Sequence, residues 1–490
     1  RYNTNQGGGG VSTVFNFFAT DDDAEFSLVD NKPAPRQRFG GRGRFNPQRF
    51  QRRDQTQFVG GDVGQGASRE RSRQQRIQSK KQQQWNTWAF NRNRDQITYN
   101  SSVDIRPDWS VLEQVQLSAL TKLQLPTDKA GRAIVPAAED LGSYGRVRWF
   151  DKAFDKVTPK FEKELAKTRR AVYNVTTSDD PVMAELSKKK AGTVFATDAM
   201  VASIMCAARS VYGWDLVVTK QNGQVFFDKR EESNFDLLTV SETAQEPISD
   251  DKDNINGVPQ LSHESTAANF NYSQQVLVSE SGGGENSRAM EFGKPDPFAG
   301  AGEDCAAVGY RYRRWALNDD VKLVTRCEIN GVVESKGAKS LLSIKALTEF
   351  DSKVTGVDWR QKIETQKGAV IATELKNNAN KLAKWTCCAL LSGADQMKLG
   401  FISRTHPKDP YNHAIINTQT YKPKDFAQQI NLTEGNMWGV FKSIAEMCLK
   451  LNDGKYLLVK DPNKPILRTY EVPADSFNDD YAKEPLDGPM

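Results

Sequence analysis

Apolar residues follow the helical period between residues 197 and 212, which predicts a helix with one buried face. The apolar positions of this face are Met200, Val201, Ile204, Met205, Ala208, Val211 and Tyr212. Gly213 follows at a position where many helices end in a left-handed conformation. Strands are predicted at residues 214–219 and 225–228, and the Asn-Gly pair at residues 222–223 is typical of a tight hairpin. The pattern predicts a helix and a hairpin and by itself indicates no activity.

Further helix-like and strand-like segments follow one another in mixed order. Helices are also predicted at residues 108–125, 180–189, 359–391 and 433–451. Strands are also predicted at residues 237–240, 310–315, 322–329, 341–347, 398–403, 414–421, 456–460 and 466–472. A break in the third of these helices is expected near Gly368, and Asp179 and Asp180 before Pro181 predict a helix cap rather than a catalytic acid pair. Because the hairpins and helices follow one another without a βαβ rhythm, we predict an α+β fold, a single mixed-sheet domain with flanking helices.

Composition divides the chain of 490 residues into four regions. Residues 1–100 are rich in Arg, Gly and Gln, with two short aromatic segments, and this composition predicts a long disordered basic tail. Residues 101–170 form a transition segment, and residues 171–472 form the folded body. Residues 473–490 are interpreted as the start of an acidic tail.

Charge is concentrated in the amino-terminal region. The whole chain carries a net charge of +5, whereas residues 32–94 contain sixteen Lys and Arg against three acids, a net charge of +13. Such asymmetry favours binding to nucleic acid or another polyanion. Two roles remain open for this tail: its aromatic segments anchor it to partner proteins, or its arginines lie on ribosomal RNA.

Cysteine and histidine do not form a recognisable metal motif. The six cysteines include no C-x-x-C pair, and the three histidines lie apart, so neither a metal site nor a cofactor is predicted. Motifs of phosphate-binding loops, serine hydrolases and zinc proteases are missing as well. No apolar run of about eighteen residues occurs, so no membrane span is predicted. These features favour a reduced, cytoplasmic protein.

Several longer phrases resemble one known family, that of the D subunit of eukaryotic translation initiation factor 3. They keep their order along the chain and stand at residues 176–182 (TTSDDPV), 193–247, 309–315 (GYRYRRW), 356–362 (GVDWRQK), 368–378 (GAVIATELKNN), 384–393 (KWTCCALLSG) and 454–464 (GKYLLVKDPNK). The resemblance covers roughly residues 150–472. It implies a non-enzymatic subunit that joins the other subunits of this factor, contacts the small ribosomal subunit and binds the 5′ cap of selected mRNAs.

The same resemblance implies a fold related to that of decapping exoribonucleases, which hold divalent metal with acids. The counterparts of their acidic motifs are Glu328-Ile329-Asn330 and Ser343-Ile344-Lys345, in which Asn330 and Ser343 replace acids. Cys388 stands where a glutamine is expected. Too few carboxylates remain to bind magnesium well, so no catalytic residue is predicted. A metal-dependent decapping or RNA hydrolase remains the alternative, and a purely structural scaffold subunit with an unused pocket is a third possibility.

The resemblance also carries over a set of residues that contact the mRNA cap. They are Asp198, Val211, Tyr212, Thr266, Asn269 and Phe270. A guanine cap needs an apolar face for stacking and acceptors for its base edge, and Tyr212 and Asp198 could supply these. In the opposing interpretation Val211 and Tyr212 belong to the core and Asp198 caps its helix. Residues 248–265 are predicted to be a polar loop, and the family implies that this loop acts as a gate over the RNA path.

Overall fold

The computed structural model of the chain describes residues 98–477 except 232, 250, 252, 280–288, 301–304 and 336. Most of the predicted basic tail, including its aromatic segments, and all but the first residues of the predicted acidic tail lie outside the described residues. From Tyr99 onwards the described residues belong to one unit, which carries all the elements named below.

The strands are β1 Ser110–Gln116, β2 Glu139–Val147, β3 Lys163–Glu164, β4 Val194–Thr197, β5 Trp214–Gln221, β6 Gln224–Asp228, β7 Met290–Glu291, β8 Gly309–Ala316, β9 Lys322–Ile329, β10 Gly331–Ser335, β11 Ala338–Glu349, β12 Gln396–Arg404, β13 His413–Tyr421, β14 Gly454–Lys460 and β15 Ile466–Val472. The α-helices are α1 Leu117–Leu120, α2 Pro181–Lys188, α3 Asp198–Met205, α4 Val258–Gln275, α5 Ser352–Thr355, α6 Trp359–Lys362, α7 Lys367–Asn377, α8 Ala379–Ser392, α9 Pro423–Gln429 and α10 Glu434–Leu449. Short 3-10 turns lie at Lys152–Lys156, Ala207–Arg209 and Asn234–Asp236.

The described strands form two sheets. The larger sheet has ten strands in the order β1-β15-β14-β5-β6-β4-β9-β8-β2-β7, and the smaller has five in the order β10-β11-β12-β13-β3. Most neighbours are antiparallel, but β4 runs parallel to β6 and β9, and β11 runs parallel to β12. Helix α3 packs against α8 and α10, and these helices share the largest apolar core with strands of both sheets. The predicted α+β class is confirmed.

Helix α3 is shorter than the predicted helix of residues 197–212. It stops at Met205, a 3-10 turn follows, and Ser210 is extended. The amides of Val211 and Tyr212 bond to the carboxylate of Glu242 instead of to helix carbonyls. The left-handed conformation expected at Gly213 is wrong, because φ of Gly213 is not positive. It permits close approach, since an added Cβ would lie 3.2 Å from both Pro462 Cδ and Ser102 N.

Other expectations are confirmed or corrected. In the predicted hairpin, residues 222 and 223 have φ of 52° and 77°, which fits a tight turn with two left-handed residues. The helix predicted at residues 108–125 is wrong: β1 pairs with β15 and only α1 is helical. Residues 237–240 form no strand, and the predicted loop of residues 248–265 is helical from Val258 onwards.

The long helix predicted at residues 359–391 is divided into α6, α7 and α8. The first division lies at residues 363–366, close to Gly368, where a break is expected, and the second lies at Asn378. The amide of Asn378 still donates to the carbonyl of Glu374, but the next amide, that of Ala379, donates to Thr243 Oγ1. A side-chain acceptor from a distant part of the chain thus replaces a helix carbonyl at this division.

Candidate functional site

Asp198 opens α3 directly after β4 and is only 6% exposed. Its Oδ2 accepts a hydrogen bond of 3.1 Å from the amide of Glu328 on β9. Burial raises the pKa of Asp198 to about 7, the nearby charge of Glu328 adds to this, and Lys345 and Arg326 oppose it. The carboxyl is therefore a buried group with a raised pKa and not an open acceptor at the surface.

Val211 and Tyr212 lie in the segment that leaves the helix. Glu242 Oε1 accepts from the amides of Val211 at 2.8 Å and Tyr212 at 3.2 Å, and Lys460 Nζ donates to the carbonyl of Val211 at 2.6 Å. The half-buried ring of Tyr212 stands edge-on to that of Tyr99, with centroids 5.4 Å apart. The backbone at this point is fixed from both sides.

Glu242 was not identified from the sequence, although it organises this segment. It is 5% exposed and also accepts from Ser210 Oγ, Thr239 Oγ1 and Asn380 Nδ2. Two buried lysines complete its surroundings. Burial lowers the pKa of both Lys381 and Lys460 to about 8, and the charge of Glu242 acts in the opposite direction on each. Glu242 therefore offsets buried positive charge while it holds the backbone.

The remaining three predicted residues lie on α4. Thr266 Oγ1 accepts from the amide of Leu238, and Asn269 Oδ1 accepts from the amide of Ala346 on β11, each at 2.9 Å. Phe270 packs against an apolar cluster that includes Phe195. Residues 266, 269 and 270 share one helical face, so this face connects a loop, a strand and an apolar cluster.

The six residues fall into two groups. Asp198 lies at one end of α3 and Tyr212 beyond its other end, and the eight residues of α3 alone span about 12 Å. Asn269 belongs with Asp198, because it bonds Ala346, and the charge of the adjacent Lys345 acts on Asp198. Thr266 belongs with Tyr212, because it bonds the loop of residues 237–242 that also carries Glu242. No described contact brings Asp198 and Tyr212 onto one base-sized spot.

The gate-like segment is tied to the body at several points. Arg404 on β12 donates to both oxygens of Glu264, at 2.8 and 2.5 Å. The same guanidinium bonds Asn256 Oδ1 and the carbonyl of Ile255. At its start, Ile248 packs against a small apolar cluster. The structure therefore shows this segment held against the five-stranded sheet.

The sequence profile of the family described as "Eukaryotic translation initiation factor 3 subunit 7 (eIF-3)" matches residues 1–471. A relative from Arabidopsis thaliana, named as the D subunit of eukaryotic translation initiation factor 3, is 48% identical over 472 residues, 95% of this chain and 76% of the relative. The protein of the same name from Homo sapiens is 41% identical over 490 residues, 98% of this chain and 86% of the relative. This chain belongs to the family of D subunits of eukaryotic translation initiation factor 3. The family is one of initiation factor subunits and not of enzymes, which confirms the prediction of a non-enzymatic protein with a role in translation initiation.

Solved structures similar in fold are those of Rai1 proteins. Rai1 from Candida albicans, in complex with pU5-Mn2+, has a TM-score of 0.46 and 11% identity over 75% of this chain and 94% of that chain. Rai1 from Scheffersomyces stipitis, in complex with (3′-NADP)+ and calcium ion, has a TM-score of 0.45 and 10% identity over 75% and 95%. A likeness at this level indicates nothing about what a member of the initiation factor family binds.

Glu328, Lys345 and Cys388, which the sequence analysis aligns with motifs of decapping exoribonucleases, lie near one another. The pKa of the Cys388 thiol on α8 is raised, by removal from water and by the charge of Asp198, with Lys345 opposing and Glu328 adding. Asn330 Oδ1 accepts from the amide of Ile344, which ties β9 to β11. Within the described part of the chain, no group of three or more His, Cys, Asp and Glu side chains could hold a metal ion.

The arginines of β8 are engaged in ion pairs. Arg311 and Arg313 both contact Asp140 on β2, and they also bond the carbonyls of Ser392 and Leu391 at the end of α8. Side chains alternate along this strand, since Tyr310 and Tyr312 are buried and Arg311 and Arg313 are half-buried.

Among the described helices, none is long and apolar enough to cross a membrane.

We expect Asp198→Asn to change how stability depends on pH. Because the folded pKa of about 7 exceeds that of an unfolded aspartate, the folded protein holds the proton more tightly. The resulting stability is fully present below pH ~4 and is lost as the pH rises to about 7. Chemical denaturation at pH 5 and pH 7.5 should therefore show a smaller loss for the variant than for the unmodified chain. Equal losses would contradict the raised pKa.

Proposed function

We propose that this chain is a non-enzymatic subunit of eukaryotic translation initiation factor 3 that contacts the small ribosomal subunit and binds the 5′ cap of mRNAs in the cytoplasm. Membership of the family of D subunits supports a place among the other subunits of the factor. The observation that carries cap binding is the placement of Tyr212. Its half-buried ring projects from a backbone fixed by Glu242 and Lys460, so it is preorganised for stacking on a base.

In this proposal the two groups of residues take different parts of the mRNA 5′ end. Tyr212 and Val211 supply the stacking face, and Thr266 positions the loop beside them. Asp198 and Asn269 lie at the far end of α3, next to Lys345. With a pKa of about 7, the carboxyl of Asp198 carries less charge near neutral pH than an ordinary aspartate, so it repels phosphate less. Phe270 packs behind this group.

The segment of residues 248–265 acts as the gate in this proposal. Its contacts to Arg404 close the gate, and two exposed acids, Asp251 and Asp253, would repel an RNA backbone. Opening would require the loss of the bonds from Arg404 to Ile255 and Asn256, whereas the bond to Glu264 inside α4 could remain.

The experiment that tests the proposal is Tyr212→Ala. Loss of one base-aromatic stack should weaken binding of capped RNA by about 1–3 kcal/mol, with a much smaller change for uncapped RNA of the same sequence. Tyr212→Phe keeps the ring and should bind capped RNA nearly as well. Binding titrations with both RNAs, beside thermal melting of each variant, measure this.

Two results would contradict cap binding through Tyr212. Equal loss for both RNAs with a lowered melting temperature would mean that the ring is part of the core, where its removal costs about 3–5 kcal/mol of stability. Unchanged binding of both RNAs with an unchanged melting temperature would favour the scaffold alternative, in which the pocket is unused.

A further inference from the structure

An exposed row of cations and aromatic rings lies beside the smaller sheet, away from the residues discussed so far. We call it the basic edge, and it consists of Lys152, Lys156, Lys160, Phe161, Lys167, Arg169 and Tyr411. Phe161 is 77% exposed and Tyr411 is 69% exposed, the two highest values among the exposed large apolar and aromatic side chains of the described residues.

The backbone of the basic edge is held in place. Strand β3 pairs with β13, and the amides of Ala166 and Thr168 donate to Gln275 Oε1 and Asn271 Oδ1 on α4. Lys163 Nζ lies 4.0 Å from the ring centre of Phe154, which fixes the 3-10 turn beside the strand. At the other end, Lys167 Nζ lies 6.0 Å from the ring centre of Tyr411. The cations and rings are therefore presented by a fixed ridge.

The ridge keeps a positive excess, because two of its acids are matched elsewhere and only Asp151 and Glu164 remain against the five cations of the basic edge. Asp155 is paired with Lys398 on β12, and Glu162 is paired with Arg360 on α6. In contrast, none of the five cations of the basic edge forms an ion pair within the described part of the chain. Positive charge with exposed rings is the surface chemistry that fits single-stranded nucleic acid, in which phosphates are neutralised and bases stack.

We propose that the basic edge binds single-stranded RNA. This goes beyond the proposed cap binding, because phosphates and stacked bases are recognised here and no cap is required. Neither ring lies on a strand, but the antiparallel register of β3 on β13, with Lys163 opposite Ile415, continues to place Tyr411 near Lys167 and Phe161 about six residues away along the ridge. At about 3.3 Å per residue this separation leaves room for more than one nucleotide between the rings.

The first test uses the full chain and an uncapped 20-nucleotide uridine RNA. Changing Lys156, Lys160 and Lys167 together to Gln should lower the log-log slope of affinity against salt by about 2, at about 0.7 per single-strand phosphate neutralised. The matched control changes Lys122, Lys129 and Lys424, exposed lysines of equal charge elsewhere on the surface. If the control lowers the slope as much as the test variant, the proposal is overturned.

The second test addresses the ring. Phe161→Ala should weaken binding of the uridine RNA by about 5- to 150-fold, and Phe161→Trp should restore it, because stacking needs only an aromatic face. Because Phe161 is exposed, the melting temperature of the protein should not change in either variant. Unchanged affinity for Phe161→Ala, or equal competition by duplex RNA of the same length, would show that no base stacks here. Since the probe has no cap, failure of this proposal leaves the result for Tyr212 untouched, and the reverse also holds.

Discussion

Asp180→Ala is expected to lower the free energy of unfolding by about 3–5 kcal/mol, because it leaves a buried guanidinium without its counter-charge. Asp180 has no exposed surface, and its Oδ2 accepts from Arg326 Nη1 at 2.8 Å. Arg326 is 4% exposed and lies over the ring of Phe298, so it cannot turn to water when its partner is removed. A loss of this size is a large part of the total stability of a typical domain.

The same carboxylate satisfies three further donors. Its Oδ1 accepts from the amides of Val182 and Met183 at the start of α2, and both oxygens accept from the hydroxyl of Tyr312. Loss of the cap alone costs about 1 kcal/mol, so most of the expected effect comes from the ion pair. The stability loss of Asp180→Asn should lie between that of a lost cap and that of Asp180→Ala, since asparagine keeps an acceptor for the cap but removes the charge.

Denaturant titration of the full chain measures the effect. Asp319→Ala is the matched control, because Asp319 is an exposed aspartate between β8 and β9, and its change should stay within about 0.5 kcal/mol. If Asp180→Ala cost no more than a helix cap, the pairing with Arg326 would contribute little net stability and the structural argument would fail.

Asp179 and Asp180 show how far sequence reasoning extends. The cap was predictable, because Asp180 precedes a proline at a helix start and the acceptor and its donors are adjacent in the chain. The ion pair with Arg326 joins residues 146 apart and depends on β4 and β9 lying side by side. No local pattern indicates it. Most strands were likewise predictable, because alternating or apolar runs are local patterns. Their order in the two sheets was not, because it depends on contacts between residues far apart in the chain.

The failures also have local physical causes. Residues 108–125 have apolar positions at helical spacing, but β1 gains its hydrogen bonds from β15 at the edge of the sheet, and this pairing outweighs the helical preference. Its Val111 and Leu112 remain exposed, so no buried stripe was available to reveal the strand. Residues 206–212 continue the helical pattern of apolar positions, yet the helix ends at Met205 and the amides of Val211 and Tyr212 bond to an acceptor about 30 residues later in the chain.

That acceptor, Glu242, supports the candidate site most directly, and its removal is expected to have the second large effect. Glu242→Ala should lower the free energy of unfolding by about 3–5 kcal/mol, because Lys381 and Lys460 then lose a compensating charge in the interior. Burial already lowers the pKa of both lysines to about 8, and without Glu242 each should fall further. Glu246→Ala, an exposed acid in the same loop, should change stability by less than about 0.5 kcal/mol.

The effect of Glu242→Ala on RNA binding shows whether Glu242 positions Tyr212 or only stabilises the fold. At a temperature where the variant is still folded, the amides of Val211 and Tyr212 have lost their acceptor, so the ring of Tyr212 is no longer held in place. Binding of capped RNA should then weaken, with little change for uncapped RNA, and a further Tyr212→Ala change should add little, because the two residues act together. Additive losses would mean that Glu242 stabilises the fold without positioning Tyr212. Adding Lys460→Met to Glu242→Gln should recover part of the stability, since it removes one of the two buried lysine charges that Glu242 offsets.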